Sequence, residues 1–360
     1  MKYADIEGLE KKDPFKRGFL NLVKNTVFGL EKNGFSIVPQ SLGEPATLID
    51  FKKYDFYLAF KTDGVGTKSL ISDTMAKKTK DIDKLYSGLG IDLIASNVND
   101  LICLGATPIA LSDEIAAGDY HTFTNKELIH GLYKGFEKGC KEAGITIPSG
   151  ESPTLIDIVK SDTISITGSS IGIITPKNKA IFGQKLVADD AIFGLSSNGI
   201  HTNGLSLARK LVEKLPQGYF TKFGNHTIGE ELLKPTKIYA KCVLEMLTKG
   251  VNIHYMSNIS GSAFRKISRA KKDFIYIIEK LPPVPPILRY LQKIGNIPDN
   301  EAYETWNMGL GFVIFAPENE YDKIKKICRK YKIVFEPIGC VKKGKKQVII
   351  KPIKTIYETA

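Results

Sequence analysis

Apolar and polar residues alternate along the chain with either helical or strand-like spacing. The segment Asn125–Ala143 places Leu128, Leu132, Phe136 and Cys140 on one stripe opposite Glu and Lys, which predicts an amphipathic helix. Further helices are predicted near Lys16–Leu30, Asp83–Leu104, Gly204–Glu213 and Pro235–Lys249. Strands are predicted at Phe56–Thr62, Pro108–Ile115, Ile145–Pro148, Thr163–Ile174, Ala191–Ser196, Gly309–Ala316, Val334–Val341 and Gln347–Lys351. This alternation favours an α/β fold built from layers of sheet and helix.

The length of 360 residues exceeds that of one ordinary domain, so we expect two domains. A segment that starts at Thr175 with the sequence Thr-Pro-Lys-Asn-Lys is typical of a link between domains. The strand Ala191–Ser196 then opens the second unit. We therefore expect an N-terminal domain at 1–174 and a C-terminal domain at 175–360.

Composition narrows the class of protein. No run approaches the ~20 apolar residues that a membrane span needs. The charged N-terminal segment has no apolar signal-peptide core, so we expect a cytoplasmic protein without a membrane partner. The five cysteines form no CxxC or Cys/His metal spacing, and we expect free thiols.

The net charge of +12 suits a nucleic acid or a phosphorylated small molecule as partner. The densest basic run, Lys342–Lys346, lies between two predicted strands, where a solvated hairpin turn is favoured over an RNA contact. No aromatic-interleaved basic stretch or Cys/His finger is visible, so the sequence does not favour nucleic acid as a partner. Phosphorylated small molecules remain as the favoured ligands.

The first candidate site directly follows the predicted strand Phe56–Thr62. Asp63 stands at the strand end, where open sheets place ligands, and its carboxylate suits Mg²⁺. Gly64 and Gly66 let the backbone approach an anion, and Lys68 adds a positive charge. A plain turn is the alternative. The spacing is not that of a Walker phosphate-binding loop.

The second candidate site is a polar stripe on the predicted helix Asp83–Leu104. Asp92, Ser96 and Asn99 share one face at i, i+4 and i+7, and Asp100 flanks them. The rest of the helix is apolar nearly all round, which predicts burial. Buried carboxylates need partners. A metal ion or an active-site cavity is one possibility, and hydrogen bonds to neighbouring backbone are the other.

Two loops that follow strands add weaker signals. Glu151 follows Ile145–Pro148 and offers a further carboxylate, although a surface turn is the favoured alternative. The loop Ser196–Gly204 places small polar residues before a helix, an arrangement that binds anions. His201 is the titratable group of this loop and suits phosphate binding or proton transfer. A helix-capping loop with an incidental histidine is the alternative.

Taken in order, these motifs resemble those of phosphoribosylformylglycinamidine cyclo-ligase, also called AIR synthetase. The late stretch 282–314, which contains the Gly-Asn-Ile and Asn-Met-Gly-Leu-Gly sequences, separates this family from more distant relatives such as selenide and thiamine-phosphate kinases. The resemblance runs from about residue 3 to 341. Its other matching segments are 62–68, 90–108, 196–210 and 232–247.

The resemblance implies an ATP- and Mg²⁺-dependent ring closure with formylglycinamidine ribonucleotide as substrate. The formyl oxygen attacks the γ-phosphate of ATP, an amidine nitrogen then closes the imidazole ring, and phosphate leaves. The resemblance also implies a PurM-like fold of two α/β domains. The N-terminal sheet pairs with that of a second subunit to form a barrel, and the C-terminal domain is an α/β sandwich. A homodimer is therefore expected.

The resemblance also implies roles for individual residues, all of which are expectations at this point. The expected catalytic residues are Asp63, Lys68, Asp92 and His201. The residues expected to bind ATP or substrate are Thr62, Gly64, Gly66, Thr67, Asn99, Ser197, Asn203 and Ser260. The expected metal ligands are Asp63, Asp92, Asn99, Asp100 and Glu151.

Three loops depart from the family pattern. Glycines of the family are replaced within Asn33–Val38, Ser149–Pro153 and Asn258–Ala263, and the last loop also lacks a histidine. Ser260 and Ser262 supply hydroxyl donors where the family has glycine amides. These departures keep two alternatives open, namely another ATP-dependent phosphotransferase of the same superfamily and a nucleic-acid-binding homologue. The retained carboxylates Asp63 and Asp92 argue against the second.

Overall fold

The computed structural model describes residues 15, 18, 22, 23 and 25–358. Residues 16, 17, 19–21 and 24 of the helix predicted near Lys16–Leu30 lie outside these residues, and the described residues of that segment are largely helical. Within them the chain folds into two mixed α/β units, each built on one large sheet. No helix in the described part of the chain is long and apolar enough to cross a membrane.

The first unit is built on a six-stranded sheet with the order β1-β2-β3-β6-β4-β5. Neighbouring strands are antiparallel except for β4 and β5, which are parallel. Its strands are β1 (Phe35–Ile37), β2 (Thr47–Phe51), β3 (Tyr57–Gly64), β4 (Thr107–Ala117), β5 (Thr146–Glu151) and β6 (Ile164–Ile174). Its α-helices are α1 (Phe28–Lys32), α2 (Ser69–Ala76), α3 (Ile82–Cys103) and α4 (Lys126–Ala143).

Helix α3 packs closely along α4 because glycines line their contact. A Cβ atom on Gly135 would lie 2.0 Å from the Ser87 carbonyl oxygen, and one on Gly131 would lie 2.3 Å from that of Asp83. Such distances exclude any side chain at these positions. Helix α4 is capped by Asn125, whose side chain accepts a hydrogen bond from the Leu128 amide at 3.1 Å. The contact between α3 and α4 holds α3 in place against the first sheet.

The second unit is built on a seven-stranded sheet with the order β10-β12-β7-β13-β11-β14-β15. Its strands are β7 (Ala191–Ser196), β10 (Tyr255–Asn258), β11 (Phe274–Ile278), β12 (Leu310–Ala316), β13 (Phe335–Lys343), β14 (Gln347–Ile350) and β15 (Thr355–Glu358). A short hairpin adds β8 (Lys222–Phe223) and β9 (His226–Thr227). The helices are α5 (Leu205–Val212), α6 (Ile228–Leu232), α7 (Ala240–Thr248), α8 (Pro286–Ile294), α9 (Asp299–Thr305) and α10 (Tyr321–Lys330).

One hydrophobic cluster joins the two units. Leu93 and Val98 of α3 belong to the same cluster of buried side chains as Phe193 of β7 and Val243 of α7. A smaller cluster around Leu48 covers the other end of the first sheet. The continuous core holds the two units in a fixed arrangement, so loops from both can form a single site.

Most of the strands and helices predicted from spacing are confirmed, but the helix predicted at Pro235–Lys249 begins later, at Ala240. The backbone amides of Thr236 and Tyr239 donate to side chains of α3 instead of continuing a helix. A contact with the other unit therefore decides the conformation of this segment. Strands β1, β2, β8, β9, β10, β11 and β15 and helices α2, α6, α8, α9 and α10 were not predicted.

Candidate active site

A polar cavity of about 480 Å³ lies between the two units. Its walls come from the end of β3, the middle of α3, the loop before α5, the segment before α7 and the loop after β10. Six of the residues expected from the sequence line it, namely Asp63, Gly64, Asn99, His201, Asn203 and Ser260. Ser96, Thr202, Thr236, Asn258 and Lys266 also line it.

Asp63 is the carboxylate that faces this cavity, and a chain of charges lies behind it. Its side chain is 42% exposed, and Lys61 Nζ lies 3.2 Å from Asp63 Oδ2 and 2.8 Å from Asp100 Oδ2. Burial alone would lower the pKa of Lys61, but Asp100 and Asp63 raise it above its ordinary value. Burial likewise opposes ionisation of Asp100, yet Lys61 and Lys266 hold its pKa below the ordinary range. Both groups are therefore ionised at neutral pH.

The predicted glycine loop is only partly at the cavity. Gly64 lines it, and a Cβ there would lie 2.9 Å from the Ile166 carbonyl oxygen, so the close strand pairing requires glycine. Thr62 bonds Ser169 on the neighbouring strand at 2.8 Å, and Gly66 and Thr67 form a short 3₁₀ turn. These three residues do not line the cavity, and their contact with a ligand stays a prediction.

Lys68 and Asp92 lie behind the cavity wall, where they pair with each other. Lys68 Nζ is 2.7 Å from Asp92 Oδ2 and donates a hydrogen bond to the Lys234 carbonyl at 2.7 Å. Asp92 Oδ1 accepts from the Thr236 amide at 2.8 Å and the Thr236 hydroxyl at 2.6 Å. Both side chains are fully inaccessible. Their direct contact with metal or phosphate stays a prediction, and the geometry favours the alternative of protein hydrogen bonds.

Asn99 continues the same junction about two turns further along α3. Its side-chain amide donates to the Lys237 carbonyl at 2.9 Å and accepts from the Tyr239 amide at 2.9 Å. Asp92 and Asn99 thus fasten the segment before α7 to the long helix of the first unit. Because Asn99 also borders the cavity, its position fixes the shape of one wall.

His201 enters the cavity from the loop before α5 in a left-handed backbone conformation, with φ of 62°. Its Nε2 lies 3.0 Å from Asn198 Oδ1. Burial, followed by the positive charges of Lys68 and Lys237, lowers the pKa of His201 to about 3. The imidazole is therefore neutral at physiological pH and acts as a hydrogen-bonding group. Asn203, two residues along, lines the same wall.

The loop after β10 has a left-handed backbone at two positions that are not glycine. Ser262 and Ala263 adopt φ values of 65° and 33°, which favour glycine. Ser260 accepts a hydrogen bond from Lys266 Nζ, and Asn258 donates to Asp100 Oδ1 at 2.8 Å. The loop therefore connects the second unit to the charge chain behind Asp63.

Two further expected residues, Ser197 and Glu151, also lie away from the cavity lining. Ser197 donates a hydrogen bond to Asn307 Oδ1 at 2.8 Å, within the loop that supports His201. Glu151 is exposed at the end of β5, an edge strand of the first sheet. Their roles in substrate and metal binding stay predictions.

The lining fits a magnesium ion carried by phosphate groups. Among the residues that the structure describes, no group of three His, Cys, Asp or Glu side chains is arranged to hold a metal. Mg²⁺ commonly keeps several waters and binds through one or two carboxylates plus substrate phosphates. Asp63 supplies one such carboxylate at the cavity, so the residues suit an ion that arrives with a nucleotide.

Three residues that contribute to the site were not predicted from the sequence. Lys61 lies two residues before Asp63, and nothing in the sequence indicates its pairing with Asp100. Thr236 and Lys266 lie in segments whose spacing predicts nothing about the cavity. Only the tertiary packing of the segments before α7 and after β10 places them there.

Comparisons with known proteins agree with the motifs. Sequence profiles described as AIR synthase related protein match the N-terminal domain at residues 43–174 and the C-terminal domain at residues 187–351. A phosphoribosylformylglycinamidine cyclo-ligase of Methanocaldococcus jannaschii is 42% identical over 80% of this chain and 79% of its own length. One of Pyrococcus horikoshii is 36% identical over 87% of both. The chain therefore belongs to the phosphoribosylformylglycinamidine cyclo-ligase family of AIR synthase related proteins.

Solved structures share the fold at low sequence identity. AaThiL complexed with AMPPCP and TMP has a TM-score of 0.60 and 16% identity, covering 95% of this chain and 94% of its own. Hydrogenase maturation protein HypE in complex with ATP has a TM-score of 0.58 and 16% identity, covering 83% of both chains. The family and the two-domain α/β fold predicted from the sequence are confirmed.

Proposed function

We propose that this chain catalyses the ATP-dependent closure of formylglycinamidine ribonucleotide to aminoimidazole ribonucleotide, a step of purine biosynthesis. The observation that carries the proposal is the single cavity in which Asp63, Asn99, His201 and Asn203 meet between the two units. The cyclo-ligase relatives cover both units, and this supports a site built from both.

The chemistry needs a phosphoryl group placed next to an amide oxygen, with its charge neutralised. The formyl oxygen attacks the γ-phosphate of ATP and ADP leaves. The amidine nitrogen then attacks the formyl carbon, and phosphate leaves with the oxygen that came from the formyl group. Magnesium, when bound, neutralises charge on the phosphates.

The residues of the chain divide this task. Asp63 would hold the metal ion that comes with the phosphates, and the Gly64 amide orients this carboxylate by donating to Asp63 Oδ1 at 2.8 Å. Neutral His201 and Asn203 offer hydrogen bonds to the formyl amide without adding charge. Lys68 and Asp92 act as positioning residues, because their ion pair fixes the segment that carries Thr236.

An isotope experiment tests the order of these steps. Substrate carrying ¹⁸O in the formyl group transfers that atom to inorganic phosphate if the formyl oxygen is phosphorylated. Mass spectrometry of the released phosphate measures the transfer. Ring closure with unlabelled phosphate excludes the phosphorylated intermediate.

We also propose that two chains associate through the first sheet, so that the sheets together form a barrel. Support comes from the edge strand β5 and from an apolar concavity of about 690 Å³ beside it, which includes Ile115, Phe123, Phe136 and Ile147. The last strand of the first sheet, β6, ends at Ile174, and the second sheet begins with β7 at Ala191. These limits support domains at 1–174 and 175–360. Light scattering during size-exclusion chromatography tests the association, and a monomer at micromolar concentration contradicts it.

A cytoplasmic location is part of the same proposal. All five cysteines, Cys103, Cys140, Cys242, Cys328 and Cys340, are free thiols. Free thiols are typical of a reducing compartment. Fluorescent fusions in the source organism test the location, and export from the cytoplasm contradicts it.

A further inference from the structure

The charged side chains in and near the cavity differ in whether they have an ion-pair partner. Among the described residues of the lining, Lys266 is the one cation and Asp63 is the one carboxylate. His201 is neutral there, because its pKa is about 3. A ligand with several negative charges therefore meets one permanent positive side chain in this cavity.

Two other lysines near the cavity, Lys61 and Lys68, already have carboxylate partners, while Lys237 lies outside the lining, with its Nζ 3.5 Å from the Ser196 hydroxyl. Lys61 pairs with Asp100 and Asp63, and Lys68 pairs with Asp92. Lys266 has no carboxylate within ion-pair distance in the part of the chain that the structure describes, and its ammonium donates to the neutral hydroxyl of Ser260. Lys266 is therefore the lysine of the cavity lining that can pair with an anion.

The loop holds Lys266 in place through its backbone. The Ser257 hydroxyl donates to the Lys266 carbonyl at 2.9 Å, and the residue lies in the 3₁₀ segment Ala263–Ser268. Ser262 is the N-cap of that segment and has a left-handed backbone conformation. Backbone strain kept at one point of a loop often serves the placement of a functional group.

The negative charges around the Lys266 ammonium do not balance its own positive charge. Burial lowers the pKa of Lys266 to about 8, and the nearby cations Arg269 and Lys61 add to this effect against Asp100 and Asp63. A partly desolvated cation without a counter-ion is unfavourable. An incoming anion relieves this cost, so the site is electrostatically prepared for one.

We propose that Lys266 binds a phosphate group in the cavity, with its ammonium placed on the phosphate oxygens by Ser260. The phosphate group belongs either to the nucleotide or to the ribose phosphate of the substrate. Both ligands present the same phosphate oxygens to the ammonium. The proposal rests on the proposed function for the identity of these two ligands. It adds a binding residue that no motif of the sequence indicated.

Calorimetric titration of the full chain tests this assignment. The variants are Lys266→Met, Lys266→Gln as a second neutral form, Lys266→Arg to retain the charge, and Lys249→Met as an exposed control. The ligands are a non-hydrolysable ATP analogue with Mg²⁺ and formylglycinamidine ribonucleotide. We expect the neutral variants to weaken one ligand at least about tenfold. We expect Lys266→Arg to weaken it less and the control to match wild type.

Each outcome decides the proposal. Weaker binding of the analogue alone assigns the nucleotide phosphate, and weaker binding of the substrate alone assigns the ribose phosphate. Neutral variants that bind both ligands like wild type overturn it, as does a wild type that binds neither. A wild type that binds a ligand but forms no imidazole product contradicts the proposed function, while the comparison of the Lys266 variants still stands. Thermal unfolding without ligand shows that the variants are folded.

Discussion

Lys68 Nζ and Asp92 Oδ2 lie 2.7 Å apart in a position that water does not reach, and they join the turn after β3 to the middle of α3. Burial lowers the pKa of Lys68, and the charge of Asp92 opposes this effect. Asp92 also receives two hydrogen bonds from Thr236 in the second unit. The pair thus lies where three segments around the cavity converge.

Lys68→Met tests whether this pair supports the architecture. The change leaves Asp92 as an uncompensated buried charge, and we expect a loss of about 3–5 kcal/mol in the free energy of unfolding. Urea denaturation measures it. Lys134→Met is the matched control, because it removes a lysine from an exposed pair with Asp83 and should cost far less. Equal losses for the two variants contradict a structural role of the buried pair.

Ser262→Gly tests the strain in the loop after β10. Ser262 has φ and ψ of 65° and 10°, a left-handed conformation that glycine adopts without steric cost. We expect the substitution to raise the free energy of unfolding by roughly 0.5–1 kcal/mol. Ser87→Gly, inside helix α3, is the control and should have the opposite sign. Destabilisation by Ser262→Gly means that the serine side chain contributes more than the strain costs.

His201 makes stability depend on pH. Burial lowers its pKa from 6.5 to about 3, so the unfolded chain binds a proton that the folded chain does not between these values. Stability from this group is present above pH 6.5 and is lost as pH falls toward 3. His201→Asn, which tolerates the left-handed backbone, should reduce the loss between pH 7 and pH 5 by on the order of 1–2 kcal/mol.

Urea denaturation at a series of pH values measures this difference between the variant and wild type. The exposed His226→Asn is the control for removing a histidine elsewhere in the second unit. The same pH dependence in wild type and His201→Asn shows that the buried imidazole is not the source.

Asp63→Asn tests the carboxylate at the cavity. The change removes the group that faces the bound phosphates but leaves Lys61 paired with Asp100, so the fold should persist. We expect turnover of ATP to fall on the order of 100-fold or more. Asp50→Asn, on β2 and outside the cavity lining, is the control. Turnover close to that of wild type removes Asp63 from the site.

The polar stripe of α3 shows what a single sequence can predict. The spacing of Asp92, Ser96 and Asn99 on an apolar helix correctly indicated a buried polar surface with partners. It left open whether those partners are metal, cavity or backbone, because periodicity describes one helix alone. Apart from Lys68, which pairs with Asp92, the partners of Asp92 and Asn99 come from residues 236–239, more than 130 positions later in the chain, while Ser96 borders the cavity.

The same limit explains the elements and site residues that escaped prediction. Residues 235–239 have helical spacing, yet the amides of Thr236 and Tyr239 bond to α3 and the helix starts at Ala240. Lys266 lies in the 3₁₀ segment whose N-cap is Ser262, and nothing in the local pattern marks a left-handed serine. Local patterns specified β3, β7 and the core of α3, whereas contacts between the units specified the cavity.

Product formation by the purified protein tests ring closure most directly. Formylglycinamidine ribonucleotide, ATP and Mg²⁺ are supplied together, and aminoimidazole ribonucleotide and ADP are both measured over time. The proposed function predicts one ADP for each imidazole formed, with no ADP release when the substrate is omitted. ADP release that does not depend on this substrate, or the absence of imidazole product, would contradict it and favour another phosphotransferase of the same fold.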